Sequence, residues 1–362
     1  MIKAKDTVSS LMVFFLVSAS QIGVGVLGFQ SVIVKYAGHD AWISVLVAGA
    51  GISVIIMIMY AMLNHDEMGD IISIHSFTLG KWVGGALSSI FSIYLLLLAI
   101  VVTRTYLEII QVWMFPHLSI WAMLLLLLPL FFYIIVGEFR IVVGVCFFGI
   151  VYPSLLILTM FFPLQYSRMS NIMPFFDHSI IEVVQSSSLA MLSFMGFATV
   201  LVFYPFVQNA PKSQKIAQYG NLCTTLAYTI ICVVSFVYYN QQELKETIWP
   251  TLGLWKIVEL PILARFEYFG IATLFFSILP NIVLYTWASG RILSRQFNFA
   301  QRKITYVLLI VIFIVCILFD NRMEINLLNS ISGKIGSYFL FIYIPILFLL
   351  HWIRRKVSKH AS

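Results

Sequence analysis

The sequence predicts an all-α, polytopic membrane protein. Of its 362 residues, 61% are hydrophobic and only 10% are charged, whereas globular proteins average about 45–50% apolar and about 25% charged residues. No soluble core could bury this much apolar surface, which excludes a soluble enzyme, a nucleic-acid-binding protein and a disordered chain. The apolar runs reach about 20 residues, the length of a membrane-spanning helix, and not the alternating segments of about 10 residues typical of a β-barrel.

Ten apolar segments are long enough to cross a membrane as helices. Polar or turn-forming clusters separate them, as at residues 137–140 and 209–212. Residues 240–260 are amphipathic and predict a short helix lying over the outer face. The predicted spans, numbered 1 to 10, are residues 8–36, 41–63, 82–112, 119–136, 141–162, 184–207, 215–239, 261–290, 303–319 and 333–353.

The positions of Lys and Arg predict the orientation, because these residues are enriched in short cytoplasmic loops. If the N-terminus is cytoplasmic, most basic residues fall on the inner side and most acidic residues fall on the outer side. All eight tryptophans lie near predicted span ends, as expected at the two surfaces of a lipid bilayer. We therefore predict a multi-pass protein of the cell membrane with both termini in the cytoplasm.

Ten spans divide into two halves of five. An odd number of spans per half gives the halves opposite orientations, which is the inverted-repeat arrangement of many transporters. We predict a single membrane domain over residues 1–362, with repeats at 8–162 and 184–353. The first span of each half predicts a helix break, at the glycine-rich residues 23–28 and at residues 193–197.

Two interpretations of residues 23–28 are open. Glycine-rich faces mediate close helix packing in membranes, whereas a break would present bare backbone to a ligand in a cavity. The G-x-G-x-x-G spacing is not a dinucleotide fingerprint, because no strand precedes it. If the break binds ligand, Gly25→Leu should abolish the response. Gly28→Ala should be milder, since packing is the role expected of Gly28.

Four short motifs, in order, resemble a known family: Gly23-Val24-Gly25, Leu79-Gly80-Lys81-Trp82-Val83-Gly84, Ser193-Phe194-Met195-Gly196-Phe197, and Thr247-Ile248-Trp249-Pro250-Thr251 followed by Arg265-Phe266-Glu267. With the five-plus-five plan, nearly the whole chain resembles the amino acid–polyamine–organocation transporter superfamily. More narrowly, it resembles the B subunits of bacterial spore germinant receptors. The resemblance implies a LeuT-like fold and a nutrient-sensing subunit of the spore inner membrane. It also implies a small-molecule ligand such as an amino acid, and partner A and lipoprotein C subunits. Residues 23–28 depart from the family pattern, because they contain none of the Thr or Ser often found near this break.

The resemblance implies a ligand site walled by spans 1, 3, 6 and 8. Asn281 and Tyr285 share a helix face, and Asn281 either bonds a neighbouring helix or lines the pocket. Tyr94 either packs in the core or contacts ligand. An apolar wall there would suit an amino acid with an apolar side chain better than a sugar. The candidate ligand-binding residues are Gly23, Val24, Gly25, Tyr94, Leu98, Ser193, Met195, Gly196, Phe197, Asn281 and Tyr285.

Arg104 and Glu108 are also four residues apart, near the outer end of span 3. Charged side chains within a membrane are costly and are often functional. We predict that these two side chains pair with each other, either as a structural pair or as a gate.

Catalytic motifs are absent from the sequence, which has no H-E-x-x-H, no Walker loop and no paired intramembrane carboxylates. The four cysteines, at positions 146, 223, 232 and 316, lie in apolar runs without a partnering histidine and are predicted to be inert core residues. We expect no enzymatic activity, no cofactor, no metal and no nucleic-acid partner. A free-standing amino acid transporter of the same superfamily is the alternative function.

Overall fold

The structure is a computed structural model that describes residues 6–64, 69–174, 176–261 and 263–361. Helices dominate these ranges. Their β pairing consists of two isolated bridges, between Val8 and Val207 and between Leu260 and Leu263. The all-α class predicted from the sequence is confirmed.

The first half of the chain forms the helices of spans 1 to 5. A short helix, Ile71–Leu79, lies between spans 2 and 3 and carries a capping box on Asp70. Span 1 consists of Met12–Gln21 and Phe29–Ala37, span 2 is Ala41–Leu63, span 3 is Lys81–Trp113, span 4 is Ile120–Val136, and span 5 consists of Phe139–Val151, Pro153–Met160 and Phe161–Leu164.

The second half forms the helices of spans 6 to 10. The predicted outer segment, residues 240–260, folds as two short helices, Gln241–Glu246 and Pro250–Lys256. Span 6 consists of Ile180–Ala190, Met191–Thr199 and Val200–Phe203, span 7 is Ser213–Tyr238, span 8 is Phe266–Phe297, span 9 is Gln301–Leu318, and span 10 consists of Arg322–Tyr338, Phe339–Tyr343 and Ile344–Ala361.

Eight segments of the described ranges are long and apolar enough to cross a membrane, so the chain is a multi-pass membrane protein. Two further apolar helices, Met12–Gln21 and Ile120–Val136, are shorter. One of the eight, Phe29–Leu63, joins the second half of span 1 to span 2 through the turn Gly38–Asp40. Helix length alone therefore leaves the count of ten spans as a prediction.

Span 1 is broken where the glycines predict. Its first helix ends at Gln21, and the backbone of Ile22 and Gly23 is extended. A 3₁₀ turn, Val24–Leu27, follows before the second helix begins at Phe29. Three glycines within six residues remove the helix propensity that would carry the first helix onward.

Span 6 behaves differently from span 1 at the matching position. Residues Met191–Thr199 tighten into a 3₁₀ helix that continues directly from Ile180–Ala190. A 3₁₀ helix keeps its own i→i+3 hydrogen bonds, so this segment frees less backbone than an extended break does.

Two further irregularities were not predicted. Span 5 changes to a 3₁₀ helix over Pro153–Met160, where Pro153 lacks the N–H that an α-helix needs. Span 10 contains a π-helical turn, Phe339–Tyr343, a form that occurs mostly as short bulges and often near functional sites.

The centre of the bundle is span 8. Of the residues in its apolar 18-residue stretch, 78% are buried, compared with 28% in the corresponding stretches of spans 5, 9 and 10. Span 8 packs along span 3, and the first helix of span 1 packs against spans 5, 6, 7 and 8. One cysteine prediction is wrong, because Cys223 is exposed on the outward face of span 7 while the other three are buried.

Candidate functional site

The break in span 1 exposes three consecutive carbonyl groups at the end of its first helix. The last carbonyls of any helix lack partners within that helix and must find them elsewhere. Here side chains from spans 7 and 8 supply the hydrogen bonds. Tyr285 donates to the carbonyl oxygen of Ser20 (2.5 Å), Tyr228 to that of Gln21 (3.2 Å) and the Asn281 amide to that of Ile22 (2.9 Å).

Asn281 and Tyr285 act together, as their shared helix face predicts. The Tyr285 hydroxyl lies 2.7 Å from Asn281 Oδ1, and the Asn281 amide also donates to the Ser277 carbonyl at 2.8 Å. Of the two interpretations left open for Asn281, the structure contains the bond to a neighbouring helix. Both side chains therefore hold the broken backbone in this conformation.

Predicted glycines from spans 1 and 6 provide the close approaches around the break. A Cβ atom on Gly23 would lie 3.4 Å from Asn281 Oδ1, and one on Gly25 would lie 3.2 Å from Ser193 Oγ. A Cβ atom on Gly196 would overlap the Ser20 carbonyl and the Tyr285 hydroxyl. Glycine at 196 thus lets the two irregular segments cross in contact. Val24, the first residue of the 3₁₀ turn, is half-buried.

Gly28→Ala, expected to be milder than Gly25→Leu, meets a close backbone contact that the sequence does not predict. A Cβ atom on Gly28 would lie 2.6 Å from the backbone carbonyl oxygen of Ile248 in the outer segment. Backbone cannot move aside as a flexible side chain can, so an alanine here forces the outer segment away from the break.

The remaining predicted residues from spans 3 and 6 are buried beside the break. The Tyr94 hydroxyl lies 3.6 Å from the Met195 sulfur, a weak acceptor. Leu98 and Phe197 are buried. Gly336 of span 10 allows this packing, since a Cβ atom there would lie 2.5 Å from the Tyr94 hydroxyl. The role of these residues as an apolar ligand wall stays a prediction.

Span 7 contributes a polar face that the sequence analysis missed. Asn221, Thr225 and Tyr228 are spaced four and three residues apart, a helical periodicity that could have revealed them. The side-chain amide of Gln21 donates to Asn221 Oδ1 (2.9 Å), and the side-chain amide of Asn221 donates to the Gly49 carbonyl (2.9 Å). The Oε1 atom of Gln21 is buried and has no partner among the described residues.

The predicted pairing of Arg104 with Glu108 is wrong. The buried guanidinium of Arg104 donates to the carbonyls of Phe319 (2.6 Å) and Asp320 (2.8 Å), while Glu108 pairs with Arg322 at 2.7 Å. Spacing of i and i+4 places two side chains on one face but does not make them partners. The partners come from the link between spans 9 and 10 and from Arg322, the first residue of span 10, which lie against this end of span 3.

The outer segment covers one side of the break. The Thr251 hydroxyl donates to the Val26 carbonyl at 2.9 Å, and the Gln30 amide donates to Thr251 at 2.8 Å. The Arg322 guanidinium lies 5.0 Å from the centre of the Trp249 ring. These contacts connect the Arg322–Glu108 ion pair, through the outer segment, to the break.

Comparison with known proteins identifies a family. The sequence profile described as "Spore germination protein" matches residues 7–325. Spore germination protein GerQB of Bacillus cereus is 41% identical over 352 residues, covering 97% of this chain and 98% of that protein. Spore germination protein A2 of Bacillus subtilis (strain 168) is 20% identical over 347 residues, covering 95% of each chain.

Solved structures share the fold of this chain. The structure of MhsT in complex with L-phenylalanine has a TM-score of 0.64 at 12% identity, covering 96% of this chain and 99% of that one. Mhp1, a nucleobase-cation-symport-1 family transporter, has a TM-score of 0.61 at 12% identity, covering 94% of this chain and 80% of that one. These likenesses confirm the LeuT-like fold. The sequence matches establish that the chain belongs to the spore germination protein family, as its resemblance to germinant receptor B subunits predicts.

Proposed function

We propose that this protein is the nutrient-sensing subunit of a spore germinant receptor and binds a small-molecule nutrient, an amino acid, at the span 1 break, without catalysing a reaction. It would lie in the spore inner membrane with both termini in the cytoplasm. The observation that carries the proposal is the row of three carbonyl groups at the break, each held by a side chain from another span.

The chemistry of the break suits a zwitterion. The carbonyl end of Met12–Gln21 carries partial negative charge, and the amide end of Phe29–Ala37 carries partial positive charge. An ammonium group would meet the first and a carboxylate the second, as in transporters with broken helices. The side chains that bond the freed carbonyls are uncharged, so a ligand without net charge leaves no unpaired ion. L-phenylalanine in the MhsT structure is a ligand of this class.

Binding would change the break by competition. An ammonium group that bonds the Ser20 or Ile22 carbonyl replaces the bond from Tyr285 or Asn281, which span 8 then loses. A ligand shifts a conformational equilibrium only by its difference in affinity for the two states. The two states here would differ in how span 1 is tied to span 8. The A and C subunits would respond to that difference.

Thermal unfolding of the purified full chain in nanodiscs, with each L-amino acid added in turn, tests the proposal. A ligand at 100 times its Kd should stabilise the folded state by about 2.7 kcal/mol. We expect at least one amino acid to raise Tm, and Gly25→Leu to abolish that rise.

Gly144→Leu is the matched control, because a Cβ atom on Gly144 meets no atom within 4 Å. This variant should respond like the wild type. If no amino acid raises Tm, or if both leucine variants respond equally, the assignment of the site is wrong.

A free-standing amino acid transporter is the second candidate. A cavity of about 240 Å³ at the inner end of the bundle, lined in part by Arg291, Trp287 and Gly137, favours it by offering an inner opening. A transporter reconstituted alone in liposomes should accumulate the amino acid that raises Tm. A receptor subunit should bind it without accumulation and should co-purify with its partners.

A further inference from the structure

An apolar cavity of about 130 Å³ lies beside the break, between spans 1, 5, 7 and 8. Leu156 and Met160 of span 5, Ala227 of span 7 and Leu274 of span 8 form its walls, and Trp255 of the outer segment lies at one end. The change of span 5 to a 3₁₀ helix at Pro153 shapes this space.

The back of the cavity is the break itself. Ile22 and Val26 both line it. The carbonyl of Ile22 accepts the bond from Asn281, and the carbonyl of Val26 accepts the bond from Thr251. An occupant of the cavity would therefore touch the side chains of the same residues whose backbone is held by span 8 and by the outer segment.

The mouth of the cavity opens on the surface that the bilayer covers. Ser154 of span 5 and Cys223 of span 7 line the cavity and are exposed. Apolar side chains flank them on the same two spans, with Leu155 at 60% exposed, Leu222 at 53% and Leu226 at 50%. In a membrane, hydrocarbon covers such a surface, so the cavity continues an interface with lipid tails.

We propose that the end of a membrane lipid's acyl chain enters this cavity between spans 5 and 7 and packs against Ile22 and Val26. An apolar cavity of about 150 Å³ stays dry and accepts benzene, so the space here takes a few chain carbons and no water. A zwitterionic nutrient does not fit, because its charges would be buried without partners. The proposal does not depend on the nutrient-binding role of the break.

A phosphatidylcholine with a photoreactive diazirine near the end of one acyl chain tests this in nanodiscs holding the full chain. After irradiation, mass spectrometry locates the labelled residues. We expect label on Ile22, Val26 or Trp255 inside the cavity, as well as on the surface residues Leu222 and Leu226. Label confined to the surface would overturn the proposal.

A variant that fills the cavity with a large side chain shows whether the interior label depends on the cavity. Ala227→Trp places an indole in the cavity and should remove the interior label while surface label stays. Leu226→Trp adds the same ring on the exposed face of the same helix, outside the cavity lining, and should keep the interior label. Equal interior labelling in both variants would contradict the proposal.

A second measurement avoids any change to the cavity walls of spans 1, 5 and 7. Lipids brominated near the chain end quench tryptophan fluorescence on contact. Because Trp255 is buried and lines the cavity, its emission should be quenched although the bilayer surface does not reach it. The quenched component should be missing from Trp255→Phe. An identical quenched fraction in wild type and Trp255→Phe would mean that no chain end reaches the cavity.

Discussion

Span 1 and span 6 hold matching positions in the two halves, yet the backbone hydrogen bonds of their irregular segments are satisfied in different ways. Span 1 opens into extended backbone at Ile22 and Gly23, and neighbouring spans bond its freed carbonyls. Span 6 narrows to a 3₁₀ helix over Met191–Thr199 and keeps bonds within itself, such as that from the Thr199 hydroxyl to the Gly196 carbonyl (3.0 Å). Tyr228 of span 7 reaches one carbonyl of this segment, that of Ser193, at a longer 3.4 Å.

This difference suggests which segment responds to a ligand. A carbonyl that is bonded by another span can exchange that bond for one to a ligand, and the exchange alters the contact between spans. A segment that satisfies its own backbone has less to exchange. We therefore expect span 6 to serve as the rigid side of the site and span 1 as the responsive side.

The largest effect is expected where the two segments cross. Gly196→Ala places a methyl group against the Ser20 carbonyl and the Tyr285 hydroxyl, and overpacking of this kind should cost about 3 kcal/mol or more. Gly25→Ala meets Ser193 Oγ at 3.2 Å and Ser193 Cβ at 3.3 Å, which are tight contacts but not overlaps, and should cost less. The Tm values of the two purified variants decide this. Equal Tm values would mean that spans 1 and 6 are not in close contact at Gly196.

Gly28→Ala comes next. The methyl group would lie 2.6 Å from the Ile248 carbonyl, so we expect a loss of about 1–3 kcal/mol in stability. Gly23→Ala, at 3.4 Å from the Asn281 side chain, is the matched substitution and should be milder. Thermal unfolding of both variants tests the order. A Gly23 variant less stable than the Gly28 variant would contradict it.

Asn281→Leu removes the donor to the Ile22 carbonyl and leaves that oxygen buried without its partner, at a cost of about 1–3 kcal/mol. In spores that produce this variant, the half-maximal nutrient concentration should change strongly while immunoblots show the protein present. An unchanged dose–response curve would mean that span 8 does not contribute to the ligand site.

Tyr285→Phe keeps the ring and removes the hydroxyl that bonds Ser20, an effect of about 1 kcal/mol. It should move the half-maximal nutrient concentration without lowering protein level. Thr199→Val, which deletes a hydroxyl bonded within span 6, is the matched control and should leave that concentration unchanged. Equal changes in the half-maximal nutrient concentration in the two variants would contradict the proposed difference between spans 1 and 6.

Much of the fold follows from the sequence because membrane-spanning helices need long apolar runs and glycine lowers helix propensity. Residues 23–28 predict the break in span 1 on this basis, and the structure contains it. The π-helical turn Phe339–Tyr343 has no comparable signal, since its residues are ordinary apolar ones. Its rings pack across to span 3, where Phe339 stacks on Phe91 at 4.6 Å, and such contacts depend on the assembled bundle.

The site was predicted less completely than the fold, for a physical reason. Asn281 and Tyr285 lie on one helix, so their spacing alone predicts that they act together. The partners of Arg104 and Glu108 come from the link between spans 9 and 10 and from the start of span 10, more than 200 residues away in the chain. The close contact of Gly28 with Ile248 is likewise set by where the outer segment folds. Local spacing carries no information about such partners.

Hydrogen–deuterium exchange of the full chain in nanodiscs tests the central claim most directly. Peptides that cover residues 20–28 and 191–199 are compared with and without the amino acid that raises Tm. We predict that ligand changes exchange at residues 20–28, where ligand and neighbouring spans compete for the same carbonyls, and leaves exchange at residues 191–199 nearly unchanged. No change at residues 20–28, or a larger change at residues 191–199, would contradict it.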